Sequence, residues 1–245
     1  MCGHGVIALA RFAVDYGYVK PTPPETTVQI QCPCGLVGAS VSEEGTVRFQ
    51  SVPSFAFATE QKTTLKAYGE ITYDVGFGGT FYALAEARQF GLDLSSATEE
   101  EIRSAGRALT DHLRPTIHLE HPESNDLAFL YGTIITDGLD SYRESDSTKN
   151  VCIFAEGQVD RSPTGSGVQA RLAVHYHKKL IEIDQKKKFV NALTGSEFIG
   201  SVLKEVQCGR YQGVQVEVAG KAYYTGSAKF WREAGDPLKN GFWLH

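Results

Sequence analysis

The chain has 245 residues, 42% hydrophobic and 22% charged, a composition that suits a globular protein and excludes a disordered one. A net charge of −5 leaves no basic footprint for nucleic acid, and no apolar run reaches the length of a membrane span. Five cysteines (Cys2, Cys32, Cys34, Cys152, Cys208) at irregular spacing make a poor disulfide framework and no N-glycosylation triplet occurs, so a reducing, cytoplasmic setting is expected.

Residues 3–16 are predicted as a helix. Val6, Ile7, Leu9, Ala10, Phe12 and Ala13 put apolar groups on almost every face, so this helix is expected to be buried nearly all round. It is too short for a span and has no basic region before it, so it is not read as a signal peptide. Gly17 and the prolines Pro21, Pro23 and Pro24 end it. Three short strands rich in β-branched residues follow near 26–31, 35–41 and 46–50. A strand near 69–75 runs into Gly76–Thr80, a bulge or turn. Thr98 and Glu101 make a capping-box pattern for a helix over 98–114, with Ile102, Ala105 and Leu109 on its apolar stripe. Strands near 127–136 and 150–155 precede a second buried helix over about 165–178. The rest, to Trp243, reads as strands and turns. Two helices of one sequence type, each amid strands, point to a duplicated α+β unit.

The two helices also start alike. Cys2-Gly3-His4-Gly5-Val6 precedes Ala8, and Thr164-Gly165-Ser166-Gly167-Val168 precedes Ala170. A helix start exposes unpaired N–H groups and the positive end of the dipole, and small residues let an anion reach them. Cys2 stands where such a field favours the thiolate, which makes it a candidate general base. Asp160, four residues before Thr164, would suit the cationic half of a zwitterionic amino acid; a turn-forming role before Ser162-Pro163 is equally open on the residues alone. Other candidates carry less. Cys32-Pro33-Cys34 lacks zinc-hairpin spacing and a second pair. His118 and His121 lack a metalloprotease pattern, and His175 and His177 face different sides of their helix.

These motifs resemble the proline racemase family. "MCGHG" and "DRSPTGSG" look like its two signatures, and "IQCPCGLV", "GFGGTFYAL", "LAFLYGTIITDG", "TGSEFIG" and "DPLKNGF" extend the likeness over essentially the whole chain. In the family's racemases both helix starts carry a catalytic cysteine; in a dehydratase subgroup the second is threonine, as at Thr164 here. The resemblance implies an α+β fold of two pseudo-symmetric units, each a curved mixed sheet wrapped around a buried central helix. The first unit would comprise 1–62 plus a returning strand region, 232–245, and the second 63–231.

It also implies a cofactor-independent, metal-free lyase that dehydrates trans-3-hydroxy-L-proline to Δ1-pyrroline-2-carboxylate. Cys2 and Thr164 are then the catalytic pair, with Cys2 as the base that takes the α-proton and returns a proton to the departing hydroxyl. Gly3, His4, Gly165 and Ser166 would bind the carboxylate, Asp160 the ring ammonium, and Phe154 would pack on the ring. The partner is a small amino-acid substrate, with neither nucleic acid nor membrane, and a homodimer is left open. A proline or hydroxyproline epimerase is the alternative, as is an inactive shortened isoform. Family members carry a segment before the "MCGH" motif, so the likeness leads to the expectation of an incomplete, loosened first unit and low activity.

Overall fold

In the computed structural model, which describes residues 2–141, 143 and 145–243, helix α1 (Gly3–Asp15) leads into a three-stranded meander. Its strands are β1 (Glu25–Cys32), β2 (Gly35–Ser42) and β3 (Val47–Gln50). Next come β4 (Ser54–Leu65), β5 (Gly69–Phe77), β6 (Phe81–Glu86) and helix α2 (Glu99–Leu113). Strands β7 (Leu130–Thr136), β8 (Ser147–Phe154) and the two-residue β9 (Gln158–Val159) lead to helix α3 (Gly165–His177). The described chain ends its regular structure with β10 (Lys186–Asn191), β11 (Glu197–Cys208) and β12 (Tyr211–Gly220). Helix α2 starts as its sequence requires, with Thr98 and Glu101 capping each other.

The strands form one mixed sheet in the order β1-β2-β3-β12-β11-β10-β8-β7-β6-β5-β4, with parallel pairs at β6–β7 and β8–β10. Strand β4 also pairs back onto β12, through Phe55 with Gly213 and Ser54 with Val214. The eight strands from β12 round to β4 therefore close into a ring, and α3 runs inside it with eleven of its thirteen residues buried. Closure needs close approach. A Cβ on Gly78 would lie 2.1 Å from the Ser166 carbonyl oxygen, and one on Gly76 would lie 2.7 Å from that of Ala170. Glycine at both positions lets the β5–β6 turn rest on the α3 backbone. Inside the ring, buried Arg171 donates to Asn150, Thr148 and Asp140, which offsets much of the cost of enclosing its charge. Helix α2 lies outside the ring, with Ile102, Ala105 and Leu109 in the core it shares with β4–β8.

Helix α1 has less cover. The meander β1–β3 receives Val6, Ile7 and Ala10, but only four of the helix's thirteen residues are buried. Leu9 and Phe12 are exposed, and Phe12 stacks on Tyr16 and Tyr18 at the surface. The helix is thus not buried all round as its composition suggests, because three strands can cover only one side of a cylinder. The C-terminal region differs too: residues 221–243 form neither helix nor strand, so the strand expected over 232–245 is absent from its described part. The segment does return to α1, where Arg11 hydrogen-bonds the Ala222 carbonyl and packs over the Tyr224 ring. Beyond it Phe230, Trp231 and Trp243 are exposed. Met1, Leu244 and His245 lie outside the described residues. The expected boundary at 62/63 falls inside β4, which runs on without a break.

Candidate active site

Helices α1 and α3 meet start to start. A Cβ on Gly3 would stand 2.5 Å from Gly165 Cα, and one on Gly165 would stand 2.7 Å from Gly3 Cα, so only glycine allows this contact from either side. The first intrahelical bonds are Val6 N–H to Cys2 O (2.9 Å) and Val168 N–H to Thr164 O (2.7 Å). That leaves the amides of residues 3–5 and 165–167 without partners inside their own helices, and both positive helix ends point at one place.

Cys2 and Thr164 are the N-cap residues of these two helices. Cys2 is exposed, and its Sγ lies 3.3 Å from His4 Nε2. The other ring nitrogen, His4 Nδ1, faces Asp160 Oδ2 at 3.3 Å, so the imidazole bridges thiol and carboxylate. The hydrogen bond to His4 lowers the Cys2 pKa against the opposing effect of burial, and the Gly5 amide adds to the lowering. Asp160, and then Cys2, push the His4 pKa up to about 10. Burial works against ionisation of Asp160, but His4, the Ser162 amide and Thr164 outweigh it and hold the carboxylate below its usual range. The three shifts point the same way: each neighbour favours the charged form of the next along the thiol, imidazole and carboxylate.

Thr164 occupies the left-handed region (φ 70°), rare for a β-branched residue and a mark of a position held by its surroundings. The holding groups are visible. Thr164 Oγ1 donates to Asp160 Oδ2 at 2.9 Å, and its amide donates to Ser162 Oγ at 3.0 Å. Buried Asn191 donates to the carbonyls of Asp160 and Ser162, and buried Asn150 to that of Pro163. Cys152 lies beside Thr164, but burial pushes its thiol well up, so it stays protonated and does not supply a second reactive thiol.

The sequence candidates Cys2, Gly3, His4, Asp160, Thr164 and Gly165 thus come together at one point. Ser166 faces another way, with its Oγ 2.8 Å from the hydroxyl of buried Tyr82. Phe154 stacks on Tyr131, whose ring meets Tyr82 edge-on. The sequence reading missed Tyr82, Tyr131, Ser162, Asn150 and Asn191. Tyr82 sits within the "GFGGTFYAL" stretch, two residues past the turn expected at Gly76–Thr80 and without a role assigned from the sequence. Of the histidines and cysteines set aside, Cys32 ends β1, where burial and the charges of Cys34 and Cys2 raise its thiol pKa; His121 packs on Phe77, and His175 is buried 3.2 Å from Asp140. Among the described residues no group of three or more His, Cys, Asp or Glu is arranged to hold a metal, and no helix is long and apolar enough to cross a membrane.

The proline racemase family model matches residues 1–243. The chain is 53% identical over 249 residues to the trans-L-3-hydroxyproline dehydratase of Xenopus tropicalis, covering all of this chain and 71% of that protein. It is 49% identical over 253 residues to the human trans-3-hydroxy-L-proline dehydratase, with the same coverage. The crystal structure of a hydroxyproline epimerase from Agrobacterium vitis, with bound trans-4-hydroxy-L-proline, superposes with a TM-score of 0.87 at 25% identity, over 98% of this chain and 69% of that one.

Proposed function

The chain belongs to the proline racemase family, and on that premise we propose that it is a hydro-lyase that dehydrates trans-3-hydroxy-L-proline to Δ1-pyrroline-2-carboxylate. The observation that carries this reading is the unequal pair at the two helix starts, a thiol at Cys2 and a hydroxyl at Thr164. Racemisation needs a base on one face of the α-carbon and an acid on the other. Thr164 gives its only hydroxyl proton to Asp160 and has neither the acidity nor the basicity of a thiol.

Elimination needs a base on one face only. In trans-3-hydroxy-L-proline the hydroxyl is opposite the carboxylate, hence on the same ring face as the α-hydrogen. Cys2 takes the α-proton from that face. The substrate carboxylate lies against the free amides of the two helix starts, Gly3, His4, Gly165 and Ser166, where the growing enolate charge is also stabilised. Asp160 attracts the ring ammonium, and Phe154 with Tyr131 offers an aromatic wall to the ring. Loss of the hydroxyl leaves an enamine that tautomerises to the cyclic imine. The relatives named as dehydratases support this choice over the epimerase reading that the Agrobacterium structure raises. We assign the work to the cytosol, a choice supported by five free cysteines.

The test is incubation of the purified chain with trans-3-hydroxy-L-proline, with detection of the cyclic imine and chiral analysis of recovered amino acid. Imine formation supports the lyase; inverted amino acid without imine refutes it.

A further inference from the structure

The proton that the departing hydroxyl takes up has two potential donors on the Cys2 face: the thiol newly formed at Cys2, and the His4 ring beside it. We propose that His4 is the general acid of the dehydration, delivering its Nε2 proton to the C3 oxygen while Cys2 acts only as base. This assignment rests on the dehydratase reading and adds a catalytic role to a residue whose backbone amide serves the carboxylate.

Three features carry it. First, a syn elimination presents a C–H and a neighbouring C–O on one ring face, so its base and acid must stand side by side. Cys2 Sγ and His4 Nε2 are 3.3 Å apart, the spacing of two groups that can address adjacent atoms. Second, Asp160 holds the far ring nitrogen at 3.3 Å, which turns Nε2, with its proton, towards the thiol side. Ser162 Oγ, 3.4 Å from the same Nδ1, fixes the ring from that side as well. Third, the order of events follows from the charges. The Cys2 thiolate is one of the groups that keep His4 protonated. Once Cys2 has taken the α-proton that support is gone, and His4 becomes a stronger acid when the leaving group needs one.

The cycle balances without a further reactant. Cys2 S⁻ takes the α-hydrogen as a proton, and the C–H electron pair passes into the enolate. That pair then forms the C2–C3 double bond, the C3–O bond breaks, and the oxygen takes the Nε2 proton and leaves as water. Cys2 is left as a thiol and His4 neutral. A proton shift from Sγ to Nε2 across their contact restores the thiolate and imidazolium.

The experiment compares the wild-type chain with His4→Gln in deuterated buffer containing trans-3-hydroxy-L-proline. The pH is about 9.5, above the ordinary thiol range, so that Cys2 ionises without help from His4. Product and α-deuterium in recovered substrate are followed by NMR. Cys2 is exposed, so its captured proton exchanges with solvent. The expected result is a fall in product formation of at least about a hundredfold, with α-deuterium now appearing faster than product. Added methylammonium, a small acid still protonated at this pH, should restore dehydration to His4→Ala and leave exchange unchanged. Dehydration by His4→Gln within tenfold of wild type overturns the assignment, because Cys2 then returns the proton itself. Parallel loss of exchange and dehydration in both folded variants also overturns it, since His4 would then serve the thiolate and not the leaving group. A wild-type chain that makes no imine overturns the dehydratase reading and this assignment together, an outcome distinct from the first two.

Discussion

Replacing Gly3 by alanine tests whether the contact between helix starts sets the chemistry. The new Cβ would lie 2.5 Å from Gly165 Cα and 2.9 Å from its carbonyl carbon, both backbone atoms that cannot rotate away. Non-bonded carbons prefer roughly 3.5–4.0 Å, so the helices must part by about 1 Å. Overpacking of this kind costs about 1–3 kcal/mol. Alanine favours the helix itself over glycine, so any net loss comes from the contact. The larger effect falls on the His4–Asp160 link, which spans the two helix starts at 3.3 Å. Stretched by about 1 Å it is no longer a hydrogen bond, and a misplacement of that size can lower turnover by about a hundredfold. Imine formation and thermal melting of Gly3→Ala are compared with wild type and with Gly226→Ala, whose Cβ would meet nothing within 4 Å. Turnover of Gly3→Ala within threefold of wild type would refute the reasoning, for it would mean that the alignment of Cys2, His4 and Asp160 does not depend on the abutting glycines.

Cys2→Ser removes the base but leaves the helix amides, so dehydration should fall by at least about a hundredfold while calorimetry still detects trans-3-hydroxy-L-proline; normal turnover excludes Cys2 as the base. Thr164→Cys places a thiol on the second helix start, and the variant should begin to racemise or epimerise a proline-type substrate, seen as solvent deuterium at the α-carbon together with loss of optical rotation. If neither appears in a folded variant, the Cys/Thr difference does not decide the reaction type. In hydrogen exchange, amides 6–14 of α1 should exchange much faster than amides 168–176 of α3, because four residues of the first helix are buried against eleven of the second; equal strong protection would show that β1–β3 suffice to hold α1.

Local signals in the sequence were legible where one interaction decides the outcome. The Thr98–Glu101 capping box placed the start of α2, and the repeated small-residue starts placed those of α1 and α3, while the meeting of their ends was implied by the family resemblance. Burial of α1 was misread because apolar content states what a helix could bury, whereas cover depends on how many strands reach it. That in turn depends on β4 folding back onto β12, a pairing between residues 54–55 and 213–214 with no local signature. The glycines of "GFGGT" showed a turn but not its purpose, which lies in the α3 backbone some ninety positions later. Asn150 and Asn191 escaped notice for a similar reason. Their work is to donate to the carbonyls of Asp160, Ser162 and Pro163, and a buried asparagine looks ordinary until its acceptors are known.

The proton inventory of the site bears on selectivity. On the face of Cys2 there are two groups that carry or accept protons, Sγ and His4 Nε2. On the Thr164 side the hydroxyl is committed to Asp160 and the one nearby thiol, Cys152, is buried and stays protonated. In the mechanism proposed above, an enolate formed by Cys2 therefore has two outcomes. It regains a proton from the face it lost it to, with configuration retained, or it expels a group from C3 on that same face. Proline and 4-hydroxyproline have no hydroxyl on C3, so for them the site allows only exchange with retention. A 3-hydroxyl cis to the carboxylate lies on the wrong face for His4. Discrimination among these rings then does not require a pocket that excludes the wrong ones: they can bind between the helix starts, lose the α-proton and recover it unchanged, because only the trans-3-hydroxyl stands where the second proton is delivered.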